Sequence, residues 1–354
     1  MLAYLIVAVI PLLVGNLYNK RLNNKLLASK KRRNYILMAA LPMFFLIAFR
    51  NQSLGADTLV YLDHFERMVD TPWDRIFENT RMEEGYIVFV KILTLFTSNA
   101  LVYQVICVTI YLLAVTSFVN QLDDDPFFVL FLFATMGMYT FMFTGVRQCL
   151  AISICLFSFR FIRKRKIVPF ALLMALAFTF HKSSILFVAA YLIYRRRLNW
   201  LNISIYLLIL AIALLFLDVI QEWFNEQLEY DYDIEGNAGG LISSIIFIGI
   251  TILTIVLVGK SKSLTVRSQG LINIGVIATL FWILRLATRI AERPSFYFLM
   301  FLFAAFTYAI NNIKNTKDKS AIKIIVIILA LGLFIYRLAI NQSTIVPYMF
   351  YSYK

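Results

Sequence analysis

Apolar runs of membrane-spanning length recur from Met1 almost to the end of this chain, and that recurrence leaves few folds open. They cover residues 2–18, 34–49, 100–119, 126–144, 146–162, 167–180, 183–194, 200–217, 240–259, 270–290, 294–311 and 321–340. Crossing the hydrocarbon core of a bilayer takes about 20 apolar residues as a helix. With 61% hydrophobic residues and a mean hydropathy of +0.77 over 354 residues, the chain reads as an all-α polytopic membrane protein, one integral membrane domain over 1–354.

A net charge of +14 would suggest nucleic acid in a soluble protein, but here the cations sit in short loops between apolar runs, where they set orientation. Lys20 to Arg33 holds seven bases and no acid; further basic loops hold Arg160 to Lys166, Arg195 to Arg197, Lys260 to Arg267 and Lys314 to Lys319. Two long connections, 50–84 and 218–239, are acidic on balance. If the basic loops are cytoplasmic, twelve crossings put both termini and both acidic loops outside. Asp123, Asp124 and Asp125 fall on the inner side against this trend, and acids weigh little in the rule. Segment 85–98 is too short to cross and is interrupted by Lys91, so a re-entrant or interfacial helix on the outer face is expected. Runs 167–180 and 183–194 are short as well and are expected to form a hairpin with His181 and Lys182 at its outer turn.

No cleavable signal peptide is evident at the N-terminus. Cys107, Cys149 and Cys155 all lie in apolar runs, so neither a disulfide nor a metal framework is expected. The chain carries no P-loop, GxGxxG, HExxH or internal repeat, which disfavours an ATP-driven pump and a zinc protease.

On this topology the unusual polar residues gather at outer helix ends. RNQSLGADTLVY supplies Arg50, Asp57 and Tyr61; Glu83, Glu84 and Tyr86 follow; GVRQCLAISI supplies Arg147 and Gln148; FHKSSILF supplies His181, Lys182 and Ser183; and Arg285, Arg289 and Arg293 close the tenth run. Each has a plainer reading. Arg50 and Lys182 can snorkel to headgroups, Asp57 can cap a helix over Thr58 to Val69, and Glu83 and Glu84 can be a solvated pair. His181 can be an ordinary loop histidine. Arg147 and Arg285 are harder to dismiss, because ionisable groups among apolar runs are costly. Arginines and a lysine beside carboxylates suit phosphate or pyrophosphate recognition, and a carboxylate can take a proton from an attacking hydroxyl.

In order and spacing, these stretches resemble the EpsG family of Wzy-type polysaccharide polymerases. The resemblance implies a GT-C-like, multi-spanning glycosyltransferase of the bacterial cytoplasmic membrane. It would join undecaprenyl-pyrophosphate-linked repeat units into O antigen, capsule or exopolysaccharide on the outer face. By position it carries over Arg50, Asp57, Tyr61, Glu84, Tyr86, Arg147, Gln148, His181, Lys182 and Ser183, with Arg289 and Arg293. The family's second motif often reads Glu-Pro-Gly, whereas Glu83-Glu84-Gly85 lacks the proline, which leaves two glutamates for one place.

The expected roles are Arg147 on the leaving pyrophosphate and Glu84, Asp57 or His181 as base, in that company first Glu84 and Asp57. Arg50, Tyr61, Tyr86, Gln148, Lys182, Ser183, Arg285, Arg289 and Arg293 are expected to hold substrate or pyrophosphate. No cofactor or resident metal is indicated, although a divalent cation fits such chemistry. Besides the lipid-linked oligosaccharide and membrane lipid, a flippase and a chain-length regulator are the partners to expect, and nucleic acid is not. The alternative reading is a flippase for the same lipid-linked units, which should carry its charges along a cavity open to both faces. A non-catalytic chain-length regulator would normally need a large extramembrane domain.

Overall fold

The computed structural model describes residues 1–354 except 22–24, 79, 197–198, 218, 220–221, 223–239, 260–263, 342–343 and 352–354. The expected acidic loop 218–239 therefore lies almost wholly outside the described residues. The chain is all-helical, 79% helix, with no strands among the described residues beyond a single bridge. Six helices there are long and apolar enough to cross a membrane: Leu2–Lys20, Ala100–Asn120, Leu241–Gly259, Val266–Leu284, Arg289–Asn311 and Thr316–Ala339. Shorter apolar helices cover Pro126–Thr135, Ile167–Phe180, Lys182–Ile193 and Leu201–Leu215.

The helices fall into two compact units. The first comprises Met1–Phe159, Ala175–His181 and Ser320–Lys354. In it α1 (Leu2–Arg21) packs on α2 (Lys25–Ala48) and on α6 (Pro126–Thr135), and α2 packs on α5 (Ala100–Asn120). Two shorter helices, α3 (Thr58–Asp70) and α4 (Glu84–Thr94), pair with one another, and α3 also touches α5. The core is aromatic and aliphatic: Phe65, Tyr86, Tyr103, Tyr111 and Phe118 are fully buried.

The apolar run expected to cross at 126–144 is broken. It forms α6, then a left-handed Gly137 (φ +102°), then the four-residue α7 (Met138–Phe141). The acids that ran against the charge trend are explained at the start of α6. Asp125 caps the helix by accepting from Phe127 N and Phe128 N at 3.1 Å, and its other oxygen takes Lys323 Nζ at 3.0 Å. Arg32 donates to the carbonyls of Leu122 and Asp124. This acidic turn is a cap and a socket for neighbouring cations, two ordinary uses of carboxylates and carbonyls beside a helix end.

The C-terminal segment after α15 (Thr316–Ala339) returns to the start of the 50–58 loop. Arg50 and Phe350 form an antiparallel bridge, Asn51 N donates to Met349 O at 2.9 Å and Tyr351 N to Phe49 O at 2.8 Å. Gly55 N donates to Thr344 O at 3.0 Å, and Tyr4 Oη to Ile345 O at 2.7 Å.

The second unit comprises Arg160–Met174 and Lys182–Lys319. Its centre is α14 (Glu292–Asn311), apolar on every side and buried almost throughout, as a helix of that composition should be. Against it lie α13 (Val266–Leu284), α12 (Leu241–Gly259) and a 3₁₀ segment, Lys182–Phe187, that continues into α10 (Val188–Ile193). The sidewall helix α11 (Trp200–Leu215) touches α13. Two helices run through the division between the units: α8 (Val146–Lys164) and α9 (Ile167–Phe180).

Candidate active site

Residues of the second and fourth motifs meet in the first unit at the point where α4 begins. Glu83 is extended (φ −69°, ψ 142°) and precedes α4 without capping it, so its carboxylate is turned away from the helix. Oε2 accepts from Arg147 Nη1, and Oε1 lies 3.3 Å from His181 Nδ1. All three side chains are largely buried. Gly85 makes this approach possible: a Cβ there would sit 2.9 Å from the carbonyl oxygen of Thr179 and closer still to its hydroxyl. Only a residue without a side chain lets the first turn of α4 press on the end of α9, which brings Glu83 beside His181.

The electrostatics of the cluster are mutual. Arg147 is the second residue of α8, where the positive end of the helix dipole disfavours a cation. Glu83 offsets that, and the guanidinium also lies over the Tyr61 ring at 5.9 Å. Burial by itself would raise the Glu83 pKa. The hydrogen bond with His181 and the charge of Arg147 outweigh burial and hold it at about 2, so the carboxylate is ionised at any ordinary pH.

Behind this cluster lies a polar layer. Tyr61 meets Tyr86 edge to face at 5.9 Å, Tyr86 Oη and Tyr103 Oη are 2.6 Å apart, and the His64 ring stacks on Tyr86. Burial pushes the His64 pKa down to about 4, which keeps that imidazole neutral. Arg50 is not at a water-facing helix end, where a snorkelling residue would be. It is 2% exposed and turned inward, with Nη1 donating to Ile47 O at 2.9 Å, Nη2 to Thr58 Oγ1 at 3.4 Å, and Phe143 beneath it at 5.2 Å. Gln104 Nε2 donates to the carbonyls of Ala48 and Arg50. Gly55, at φ +93°, passes so close to Phe143 O that no side chain fits there. The first motif is thus largely a locked turn. Its polar residues hold the loop, and Tyr61 alone of those singled out reaches the Glu83 cluster.

Other singled-out residues stand apart. Glu84 is exposed on the first turn of α4, while Asp57 is half-buried at the start of α3 without a side-chain capping bond. Gln148 is buried on α8, and Lys182 is exposed at the start of the 3₁₀ segment. In the second unit Ser183 Oγ lies 3.2 Å from Tyr297 Oη. Arg285 is buried, with Nε donating to Glu292 Oε2 at 3.0 Å and Nη1 lacking a hydrogen-bond partner. Arg289 is exposed and Arg293 half-buried, so residues 285–293 hold three arginines and the one carboxylate that Arg285 engages.

Sequence reading missed Glu83 as the buried partner, together with Tyr103, Gln104 and the C-terminal segment.

Residues 33–350, most of the chain, match the profile of the EpsG family. No curated protein and no solved structure matches the chain.

Proposed function

The chain belongs to the EpsG family, and we propose that it is a polysaccharide polymerase of the bacterial cytoplasmic membrane. Its donor is a glycan on undecaprenyl pyrophosphate, and its acceptor is the non-reducing sugar of another lipid-linked repeat unit. The family suggests a membrane polymerase of this general kind; donor, acceptor and sidedness are our reading. The topology is GT-C-like, with twelve crossings, both termini outside and the Glu83 cluster facing outward. The basic loops support it, because short cytoplasmic loops concentrate Lys and Arg.

The observation that carries the reading is Glu83 held between Arg147 and His181. In the reaction an acceptor hydroxyl attacks the anomeric carbon of the donor. The new C–O bond forms as the bond to the pyrophosphate breaks, and undecaprenyl pyrophosphate leaves with the electron pair. The hydroxyl proton passes to the Glu83–His181 pair. Glu83, held at about 2, is a weak base by itself, but its charge stabilises an imidazolium at His181. Asp57 and Glu84 lie outside this pair, so the geometry favours His181 among the bases considered.

Arg147 has five N–H donors in a fork. With Nη1 on Glu83, it is held in place to meet charge growing on the leaving group, a kind of stabilisation whose removal costs ~10² to 10³ in rate by analogy with oxyanion donors. The pyrophosphate-contact roles of Arg285, Arg289, Arg293 and Lys182 belong to the same proposal. Arg50 acts through the loop it anchors.

The test is the surface glycan of a strain deleted for the gene and complemented with wild type, Arg147→Ala or Glu83→Gln. Loss of the polymer ladder with a single capped repeat unit remaining, rescued by wild type alone, is the expected result. Loss of all surface glycan, with lipid-linked units trapped inside, would make the protein a transporter instead.

A further inference from the structure

The two hairpin legs that meet at His181 are too short for an ordinary bilayer. α9 has 14 residues, which at 1.5 Å each reach about 21 Å, against a hydrocarbon core of about 30 Å. The return leg is no longer: six 3₁₀ residues and the six of α10 reach roughly 21 Å. On α8, Arg147 stands thirteen positions from Arg160, the first of its terminal bases, or about 20 Å. Two short legs therefore give one height, and the spacing of the charges on α8, itself a helix of 19 residues, matches it. Other helices are not like this: α5 has 21 residues and α15 has 24.

Both short legs, and α8 with them, end in the same kind of collar. Arg160 to Lys166 cover the end of α8 and the turn into α9, and Arg195 follows α10. The collar is tied together where Arg165 donates to Tyr191 O at 3.0 Å and lies over the Tyr191 ring. At the other end, His181 and Lys182 form the turn. Lys182 is exposed there, and apolar side chains are exposed right up to it: Phe178 is 41% exposed on one leg and Ile185 50% on the other. Among the described residues, the outer ends of these legs leave apolar side chains exposed. Whatever covers them is apolar up to the turn and polar immediately beyond, which is the profile of a bilayer ending there.

We propose that the membrane is thinned to about 20 Å beside α9 and α10, so that lipid headgroups descend to the level of His181 and Arg147. The inference rests on the membrane topology given under the proposed function. It also adds a reason for that site's depth. A lipid-linked donor carries its pyrophosphate at headgroup level, and drawing those charges below the surface into hydrocarbon is costly. A depressed surface delivers the pyrophosphate to Arg147 and the sugar to the Glu83–His181 pair with both still in a polar layer. Substrate selection follows: the site favours a polyprenyl-anchored donor, whose head follows the surface down.

The test uses the full-length protein in nanodiscs of dioleoyl phosphatidylcholine, imaged by cryo-electron microscopy. The lipid belt should be narrower beside α9–α10 than beside α15 by about 9 Å, the difference between the helix height and an ordinary core. A belt of uniform thickness, or a second copy of the chain packed over α9 and α10, overturns the proposal. Polymer formation in vesicles from dimyristoleoyl to dierucoyl phosphatidylcholine should fall about tenfold from the thinnest to the thickest, as mismatch accumulates per Å. Equal rates throughout would overturn the claim that thinning serves the reaction. A thinned belt without polymerisation in any lipid would remove the polymerase reading and leave the thinning standing.

Discussion

Two arginine clusters in this molecule have opposite charge balances. Around Glu83 one carboxylate is enclosed by Arg147 and His181, every member is largely buried, and the charges are nearly matched. At Glu292 the carboxylate pairs with Arg285, whose buried Nη1 has no acceptor, while Arg289, exposed, and Arg293, half-buried, lie close by in the chain. A matched, buried set fixes geometry, because removing one member strands the others in a low dielectric. An excess of partly exposed guanidinium groups is instead suited to meeting an anion that arrives from outside. On the proposed function the first cluster is the reaction machinery and the second a binding surface, and substitutions should separate them by what they change.

The sharpest separation comes from the paired glutamates. Glu83→Gln should lower polymerisation by about 10² to 10⁴, the range expected when proton transfer is disabled, while Glu84→Gln stays near wild type; rates in vesicles with purified lipid-linked substrate decide it. Equal losses would erase the distinction between a buried and an exposed carboxylate. Gly85→Ala should follow with a loss of about 10², since moving Glu83 by even an ångström from His181 spoils alignment. The variant should still fold, as judged by its melting temperature in detergent.

In the second cluster, Arg285→Gln should raise KM for the lipid-linked donor by about tenfold and leave kcat within about twofold, the signature of lost uniform binding. A fall in kcat alone would move Arg285 into the machinery and undo the contrast.

The smallest expected effect is a flat line. Glu83 has a folded pKa below its unfolded value, so its ionisation stabilises the fold fully above the ordinary carboxylate range and is lost only as pH falls toward about 2. Between pH 5 and 8 the stability difference between His181→Gln and the double variant Glu83→Gln/His181→Gln, in which no imidazole titrates beside the carboxylate, should therefore not change. A slope in that window, measured by thermal unfolding, would mean that the pairing with Arg147 is not what holds the proton off.

Much of the helix placement was legible because apolar runs have few alternatives in a membrane, and α4 lies where a segment too short to cross was expected. What stayed hidden was set by packing. Gly137 sits inside an unbroken apolar run, and nothing in its neighbours says that it adopts φ +102° and splits α6 from α7. Glu83 and Glu84 are chemically identical neighbours; only the approach of Gly85 to Thr179 decides that one is buried and the other exposed. Arg50 follows the apolar run of α2, a position that in sequence resembles a headgroup anchor, yet its partners are carbonyls and a threonine that become visible only once the loop is folded. Charge balance misled at Asp125, where cap geometry and Lys323 supplied the missing reason.

The bridge between Arg50 and Phe350 has a consequence for how the protein is made. The first motif is complete within the first sixth of the chain, yet Gly55 and Asn51 find their partners only in Thr344 and Met349. A ribosome must therefore add Thr344 and Met349 before that loop can close. Any nascent or truncated product that stops before Thr344 lacks the clasp that sets Arg50, so assembly of the first motif waits on a segment far along the chain.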